Sequence, residues 1–532
     1  MYAKNCLLIA SLGLLLAACG ADSDITEEEN TSSYSEQHRP QLHFSPPAKW
    51  MNDPNGMVFF EDEYHLFYQY YPDSTVWGPM HWGHAVSKDL VIWENLPIAL
   101  APDEHGYIFS GSAVVDWDNT SGFSENGEPP LVAIFTYHDP EGEKSGAIDF
   151  QTQGIAYSTD RGRTWTPYEA NPVIPNPGIR DFRDPKVIWD TDSDQWVMVL
   201  AVDDHVDFYG SKNLKRWYKL SSFGKTVGAH GGVWECPDLF PIWLSETGSK
   251  KWVLISSINP GAYNGGSGTQ YFIGEFNGRS FRMDQEFGAH LARNARATGQ
   301  PACWLDFGRD NYAGVTWSDI AEDDGRRIFL GWMSNWDYAQ VVPTQSWRSA
   351  MTLPRTLEVR STPQGPRIFQ SFPAELEQLR EQSRTITVNE SDTTVPLADV
   401  DPTQLEVALE SLIGEEGQIY FELSNSQGER YRIGFNATEN AYFSDRTAAG
   451  KKGFSEKFAE GIHYAPRQIP GVLIKMHLVF DHSSVELIAD DGLVAMTELF
   501  FPNEDFTEIK LVKEDGATAV QELTVSSLKG IW

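Results

Sequence analysis

The chain has 532 residues, 41% hydrophobic and 22% charged, with a formal net charge of −34. That length exceeds what one core supports and implies two domains, and so large an acidic excess repels phosphate backbones and argues against nucleic acid as a partner. Of four cysteines, Cys6 and Cys19 stand at the start of the chain, which leaves Cys236 and Cys303 for the body and excludes a disulfide scaffold; whether those two pair is not encoded in their spacing.

In chain order, Lys4 precedes an apolar run from Leu7 to Leu16, followed by Ala17, Ala18 and Cys19. A positive start, an apolar run too short to span a membrane and a small-residue site predict a secretory signal over residues 1–19. Leu16-Ala17-Ala18-Cys19 resembles a bacterial lipobox. The resemblance implies that Cys19 is lipidated and that the protein is exported and membrane-anchored, and Gly20 in place of a retention aspartate points to the outer membrane. Residues 20–37, rich in Ser, Thr and Glu, predict a flexible acidic tether.

From residue 41 the pattern becomes short strands separated by Asp, Gly, Pro and Asn. Gly56–Phe60, Tyr64–Tyr70, Leu131–Thr136, Gln195–Leu200 and Lys251–Ser256 are examples. Three turns share one theme: Ser87-Lys-Asp89 running to Trp93, Ser158-Thr-Asp160 running to Trp165, and Ser211-Lys-Asn213 running to Trp217. The middle one matches the S-x-D-x-G-x-T-W hairpin turn common in β-propellers. Repeats roughly 50–70 residues apart fit one four-stranded blade each. Helix formers at Pro373–Glu381 predict a connecting helix, and alternation resumes at Gln418–Leu423 and Met476–Asp481. The fold expected is all-β: a propeller over residues 38–362, a linker over 363–384 and a β-sandwich over 385–532.

Three segments carry the chemistry. In Trp50-Met-Asn-Asp-Pro-Asn-Gly56, Pro54 fixes the backbone after Asp53 and predicts a rigid turn presenting a carboxylate. Arg183-Asp184-Pro185 reads as a second such turn, and Trp234-Glu235-Cys236-Pro237 sets a carboxyl among apolar neighbours suited to general acid work. Each alone is compatible with an ordinary turn. Together they supply what glycosidic cleavage needs: one carboxylate to attack, one to protonate the leaving oxygen, and a third to hold sugar hydroxyls in an oxocarbenium-like transition state.

With these motifs in this order, the chain resembles glycoside hydrolase family 32, which contains invertases, levanases and inulinases. The resemblance implies a five-bladed propeller followed by a C-terminal sandwich, with no cofactor and no obligatory metal. It implies Asp53 as nucleophile, Asp184 as transition-state stabiliser and Glu235 as acid/base. Asn52, Gln69, Trp77, Phe109, Ser110, Arg183 and Trp336 fall where the family binds sugar. Asp306–Ala313, Gly331–Trp336 and Phe480–Glu486 are further family segments, and Trp77–Trp82 with Trp347–Met351 looks closest to bacterial levanases and exo-inulinases.

The expected activity is retaining release of fructose from levan or inulin, with sucrose as a further substrate, exo-acting where the pocket is blind. A fructosyltransferase on the same scaffold and a non-catalytic surface fructan-binding protein are the alternatives. Oligosaccharide products at high sucrose would mark the first, and binding without sugar release the second. His81 and His84 lack a third ligand at suitable spacing and read as hydrogen-bonding residues. Cys236 lacks a matching histidine and reads as packing beside the acid.

Overall fold

A computed structural model describes residues 34–321, 324–514 and 519–532; the expected signal sequence, Cys19 and most of the expected tether lie outside them. The described residues form seven sheets. Five, of four or five strands each, are successive blades, and their first strands are innermost: Lys49–Phe60, Tyr107–Val115, Phe182–Asp190, Val233–Trp243 and Tyr312–Thr316. These five strands touch in a ring, the first against the second and the fifth against the first. Trp347–Arg348 pairs in parallel with Lys49–Trp50, so chain from the last blade adds a strand to the first and fastens the two together.

The second strands are continuous apolar runs because neighbouring blades cover both faces. Leu131–His138 and Gln195–Val202 are buried at every position. The three related turns each join the third strand of a blade to its fourth. Asp89 Oδ1 accepts the amides of Val91 and Ile92 at 3.0 and 2.8 Å, Asp160 Oδ1 accepts that of Thr164 at 2.9 Å, and Asn213 Oδ1 accepts that of Arg216 at 3.0 Å. The third residue after each serine is left-handed: Leu90, Arg161 and Leu214, with φ of 65°, 62° and 61°. A fourth copy escaped sequence reading. Asn277 accepts the amides of Arg279 and Ser280, and Gly278 has φ of 78°, but Phe281 stands where the others place tryptophan.

Residues 363–384, expected as a linker, are mostly strand. Gly365–Ser371 pairs with Arg355–Thr362 as the outer strand of blade five, and Arg380–Thr385 pairs with Ala519–Leu528 in the sandwich. Only a 3-10 helix, Ala374–Leu379, lies between, pinned by buried Leu376 and Leu379. The sandwich is two six-stranded sheets. Residues 34–37, assigned to the tether, are packed instead: the ring of Tyr34 stacks on Trp532 at 3.9 Å, and Gln37 donates to the carbonyl of Asn503 at 2.8 Å. Tyr34 is the aromatic residue of that polar stretch, and it is half-buried.

A buried ionic network locks sandwich to propeller. Arg355 reaches Asp306 at 2.8 Å and Glu486 at 2.5 Å, and His43 bridges Asp481 at 2.7 Å and Glu486 at 3.0 Å. Beside it, Arg446 pairs with Asp310 at 2.6 Å and donates to the hydroxyl of Tyr338 at 2.8 Å, which itself donates to Asp310 at 2.6 Å. The segments 306–313 and 480–486 thus meet at the domain interface.

Candidate functional site

The three motif segments are not turns. Asp53, Asp184 and Glu235 all lie within innermost strands, and the pairing register slips at each: between Met51 and Pro54, opposite Val199–Ala201, and between Glu235 and Asp238. Blades two and five slip at the same level, between Ile108 and Gly111 and between Tyr312 and Val315. Five inner strands therefore bulge around one mouth of the channel. Proline lacks a ladder donor and is accepted within a strand at a bulge, which is why Pro54, Pro185 and Pro237 sit here without breaking the strand. Asp184 and Cys236 adopt left-handed φ of 63° and 44°. Such backbone costs stability on non-glycine residues and re-aims the side chains into the channel.

Cys236 ties the centre together. Its amide donates to Asp184 Oδ2 at 3.0 Å, and its sulfur lies 3.6 Å from Asp53 Oδ2 and 3.7 Å from Asp184 Oδ2. Asp53 accepts Ser110 Oγ at 2.7 Å on Oδ2 and Asn52 Nδ2 at 3.0 Å on Oδ1. Asn52 is itself oriented by the indole N–H of Trp50 at 2.7 Å. Arg183 donates to Glu235 Oε1 at 2.8 Å and to Asp181 at 2.6 Å, and the hydroxyl of Tyr312 donates to Glu235 Oε2. Glu235 is therefore held by polar partners, not by the apolar residues beside it in sequence. Trp234 turns away to donate to the carbonyl of Ala229 at 2.8 Å.

The electrostatics follow from burial and like charge. Burial raises the Asp53 carboxyl, and the negative charge of Glu235 adds to it, against the donors Ser110 and Asn52. Burial pushes Asp184 up to about 7, with Arg183 opposing and the charges of Glu235 and Asp53 reinforcing. Burial holds the Cys236 thiol well above its ordinary value, aided by Asp184, so it stays a neutral thiol. Cys236 and Cys303 are both buried and free.

A cavity of about 300 Å³ opens over these groups. All ten sequence-predicted site residues in the described chain line it. Gln69 is fixed by donation to the carbonyl of Ile108 at 3.0 Å. Trp77 packs edge-on against Phe109 at 6.0 Å, and Trp336 stacks on Trp50 at 5.9 Å. Sequence reading missed Tyr312 as a contact of Glu235, and it missed His138, Glu143, Gln151, Asp181 and Gln340 on the walls. Asp181 lies just before the strand that starts at Phe182 and joins the site through the Arg183 guanidinium at 2.6 Å, a contact that no strand periodicity announces. His138 and Gln151 are cross-strand partners, a pairing no local motif announces. His81 and His84 are not brought together: His81 donates to the carbonyl of Pro79 at 2.9 Å, while His84 meets His65 at 3.0 Å.

The family model described as "Glycosyl hydrolases family 32 N-terminal domain" matches residues 43–371, and "Glycosyl hydrolases family 32 C terminal" matches residues 375–527. A levanase of Bacillus subtilis is 45% identical, with the alignment covering 98% of this chain and 74% of that protein. An extracellular exo-inulinase of Aspergillus awamori is 37% identical over 94% of this chain and 96% of its own. Among solved structures, exo-inulinase from Aspergillus awamori superposes with a TM-score of 0.83 at 34% identity, covering 94% of this chain and 100% of that one. β-Fructofuranosidase from Schwanniomyces occidentalis complexed with fructosyl-erythritol superposes with a TM-score of 0.81 at 31% identity, covering 93% and 98%.

Proposed function

The chain belongs to glycosyl hydrolase family 32, and from that premise we propose that it is a β-fructofuranosidase releasing fructose from fructans and sucrose by a retaining, exo-acting mechanism. The observation that carries the reading is the convergence of Asp53, Asp184 and Glu235 on the bulged mouth of one channel, joined through Cys236 and Arg183. Levanase and exo-inulinase relatives support the substrate class.

In this reading Asp53 attacks the anomeric carbon of a terminal fructosyl unit while Glu235 protonates the departing oxygen. Asp184 holds ring hydroxyls as positive charge develops at that carbon. Glu235 then takes a proton from water, whose oxygen displaces Asp53 and restores the starting configuration. Arg183 and Tyr312 keep Glu235 in register through both steps. Ser110 and Asn52 orient Asp53 so that one face of its carboxylate remains available to the sugar.

A time course of products from levan and inulin tests the activity. Fructose alone from the earliest point supports the exo-hydrolase, and the ratio of initial rates identifies the preferred linkage. A ladder of oligosaccharides preceding fructose contradicts the exo reading, and no release from either polymer or sucrose contradicts the function.

We also propose that the protein is exported and anchored through lipid on Cys19. The support is Leu16-Ala17-Ala18-Cys19 and the apolar run before it.

A further inference from the structure

The channel holds a second cavity, of about 310 Å³, at its far end. Its lining follows the catalytic residues along the same inner strands: Lys186 beyond Asp184, Asp238 beyond Glu235, Thr316 beyond Tyr312. Asp238 is three residues past Glu235, on the order of 10 Å at about 3.3 Å per strand residue. The volume falls at the lower end of the roughly 300–1,000 Å³ typical of small-molecule sites.

Part of the bonding capacity of the lining is unfilled. Asp238 is fully buried. Its Oδ2 accepts the amide and hydroxyl of Thr316 at 2.6 and 2.8 Å and pairs with Lys186 at 3.5 Å. Its Oδ1 has no partner among the described residues, and neither has the hydroxyl of buried Ser318. A buried acceptor left unpaired is costly, and a ligand hydroxyl would relieve it. Arg327 commits Nε to the carbonyl of Pro241 at 3.0 Å and forms no ion pair among the described residues, which leaves its terminal nitrogens to donate. At the rim, Trp117 is 60% exposed, its indole held by Asp319 at 3.1 Å.

The chemistry disfavours an anion. Asp116, Asp118, Asp238 and Asp319 outnumber Lys186 and Arg327 in the lining, and both carboxylate oxygens of Asp116 already accept from Thr120 and Ser121. A free carboxylate oxygen, a hydroxyl, guanidinium donors and an exposed indole face suit a polyhydroxylated ring with one apolar side. We propose that the far end of the propeller channel is a second, non-catalytic site for a monosaccharide-sized neutral sugar. The ligand class rests on this cavity alone; fructose as probe rests on the function proposed above.

The test is 19F NMR on the full chain labelled with 5-fluorotryptophan, titrated with D-fructose. The Trp117 resonance is assigned by its loss in Trp117→Phe, and those of Trp77 and Trp336 likewise. The Trp117 signal should move saturably, with its own dissociation constant, alongside those of Trp77 and Trp336. Arg327→Gln should weaken the Trp117 response by about tenfold, the loss of one charged hydrogen bond, and leave the Trp77 response unchanged. Movement of Trp77 and Trp336 with Trp117 static would overturn the second site and spare the catalytic one. Movement of Trp117 alone would do the reverse. An unchanged Trp117 affinity in Arg327→Gln would also overturn it.

Discussion

The hydroxyl of Ser110 stands 2.7 Å from Asp53 Oδ2, donated from the inner strand of blade two to that of blade one. Both residues sit on bulges, so the contact exists because two strands lose register at the same height. A nucleophile buried beside a second carboxylate is hard to ionise, and Ser110 works against that. Ser110→Ala should move the acid limb of kcat/KM to higher pH, because losing a donor to the ionised form raises Asp53 further. The rate should fall about 10- to 100-fold, as expected for roughly 1.5–3 kcal/mol in a hydrogen bond to a charged group. An acid limb at unchanged pH would remove Ser110 from this role.

Glu235 acts in the opposite direction, since its negative charge raises Asp53. Glu235→Gln should nearly abolish turnover of fructans. With an activated fructosyl donor whose leaving group needs no proton, the residual first step should persist with its acid limb moved to lower pH. Pre-steady-state release of the leaving group across pH reads this directly.

Asp184 carries a cost to stability. Its folded carboxyl sits near 7, against an ordinary value of 3.8, so the native state holds a proton that the unfolded chain has lost. Native stability therefore declines as pH rises from about 4 through 7. Asp184→Asn should raise the melting temperature by a few degrees at pH 8 and hardly change it at pH 4. The same substitution should lower kcat by about 100- to 1,000-fold. A destabilised variant at pH 8 would contradict the assigned electrostatics.

His43 runs the other way. Burial alone would lower it, but its bonds to Asp481 and Glu486 push it up to about 9. Its contribution is fully present below about 6.5 and is lost as pH rises through 9. His43→Gln should cost about 3–5 kcal/mol at pH 6, the scale for breaking a buried charge pair, and much less above pH 9.5. Urea midpoints at the two pH values, compared with the parent chain, measure the difference. Equal costs at both would mean that His43 is not charged in the interface.

Cys19→Ala should abolish incorporation of labelled palmitate and release the protein from the membrane fraction. Incorporation that survives the substitution would place the anchor elsewhere or remove it.

The three catalytic motifs were legible because proline and acidic residues recur in them with few alternatives, and the blades because three turns repeat an Asp/Asn-to-Trp pattern. The geometry was not. Pro54 and Pro185 predict turns because proline fixes the backbone and lacks a ladder donor, and the competing fact, that bulges admit proline, depends on partner strands far away in sequence. Trp234 and Cys236 predict apolar company for Glu235, whereas Trp234 turns away, the bulge aims Cys236 at Asp53 and Asp184, and Arg183 and Tyr312 arrive from blades three and five. Residues 363–384 carry no strand signal of their own, and Gly365–Ser371 and Arg380–Thr385 become strands only through partners at Arg355–Thr362 and Ala519–Leu528.

The measurement closest to the centre of this account is mass spectrometry of Glu235→Gln quenched during turnover of an activated fructosyl donor. Loss of the base slows hydrolysis of the intermediate, so the peptide containing Asp53 should carry one fructosyl residue, and the adduct should vanish when Asp53 is also replaced by Ala. An adduct on Asp184, or full fructose release by Asp53→Ala, would contradict Asp53 as the nucleophile.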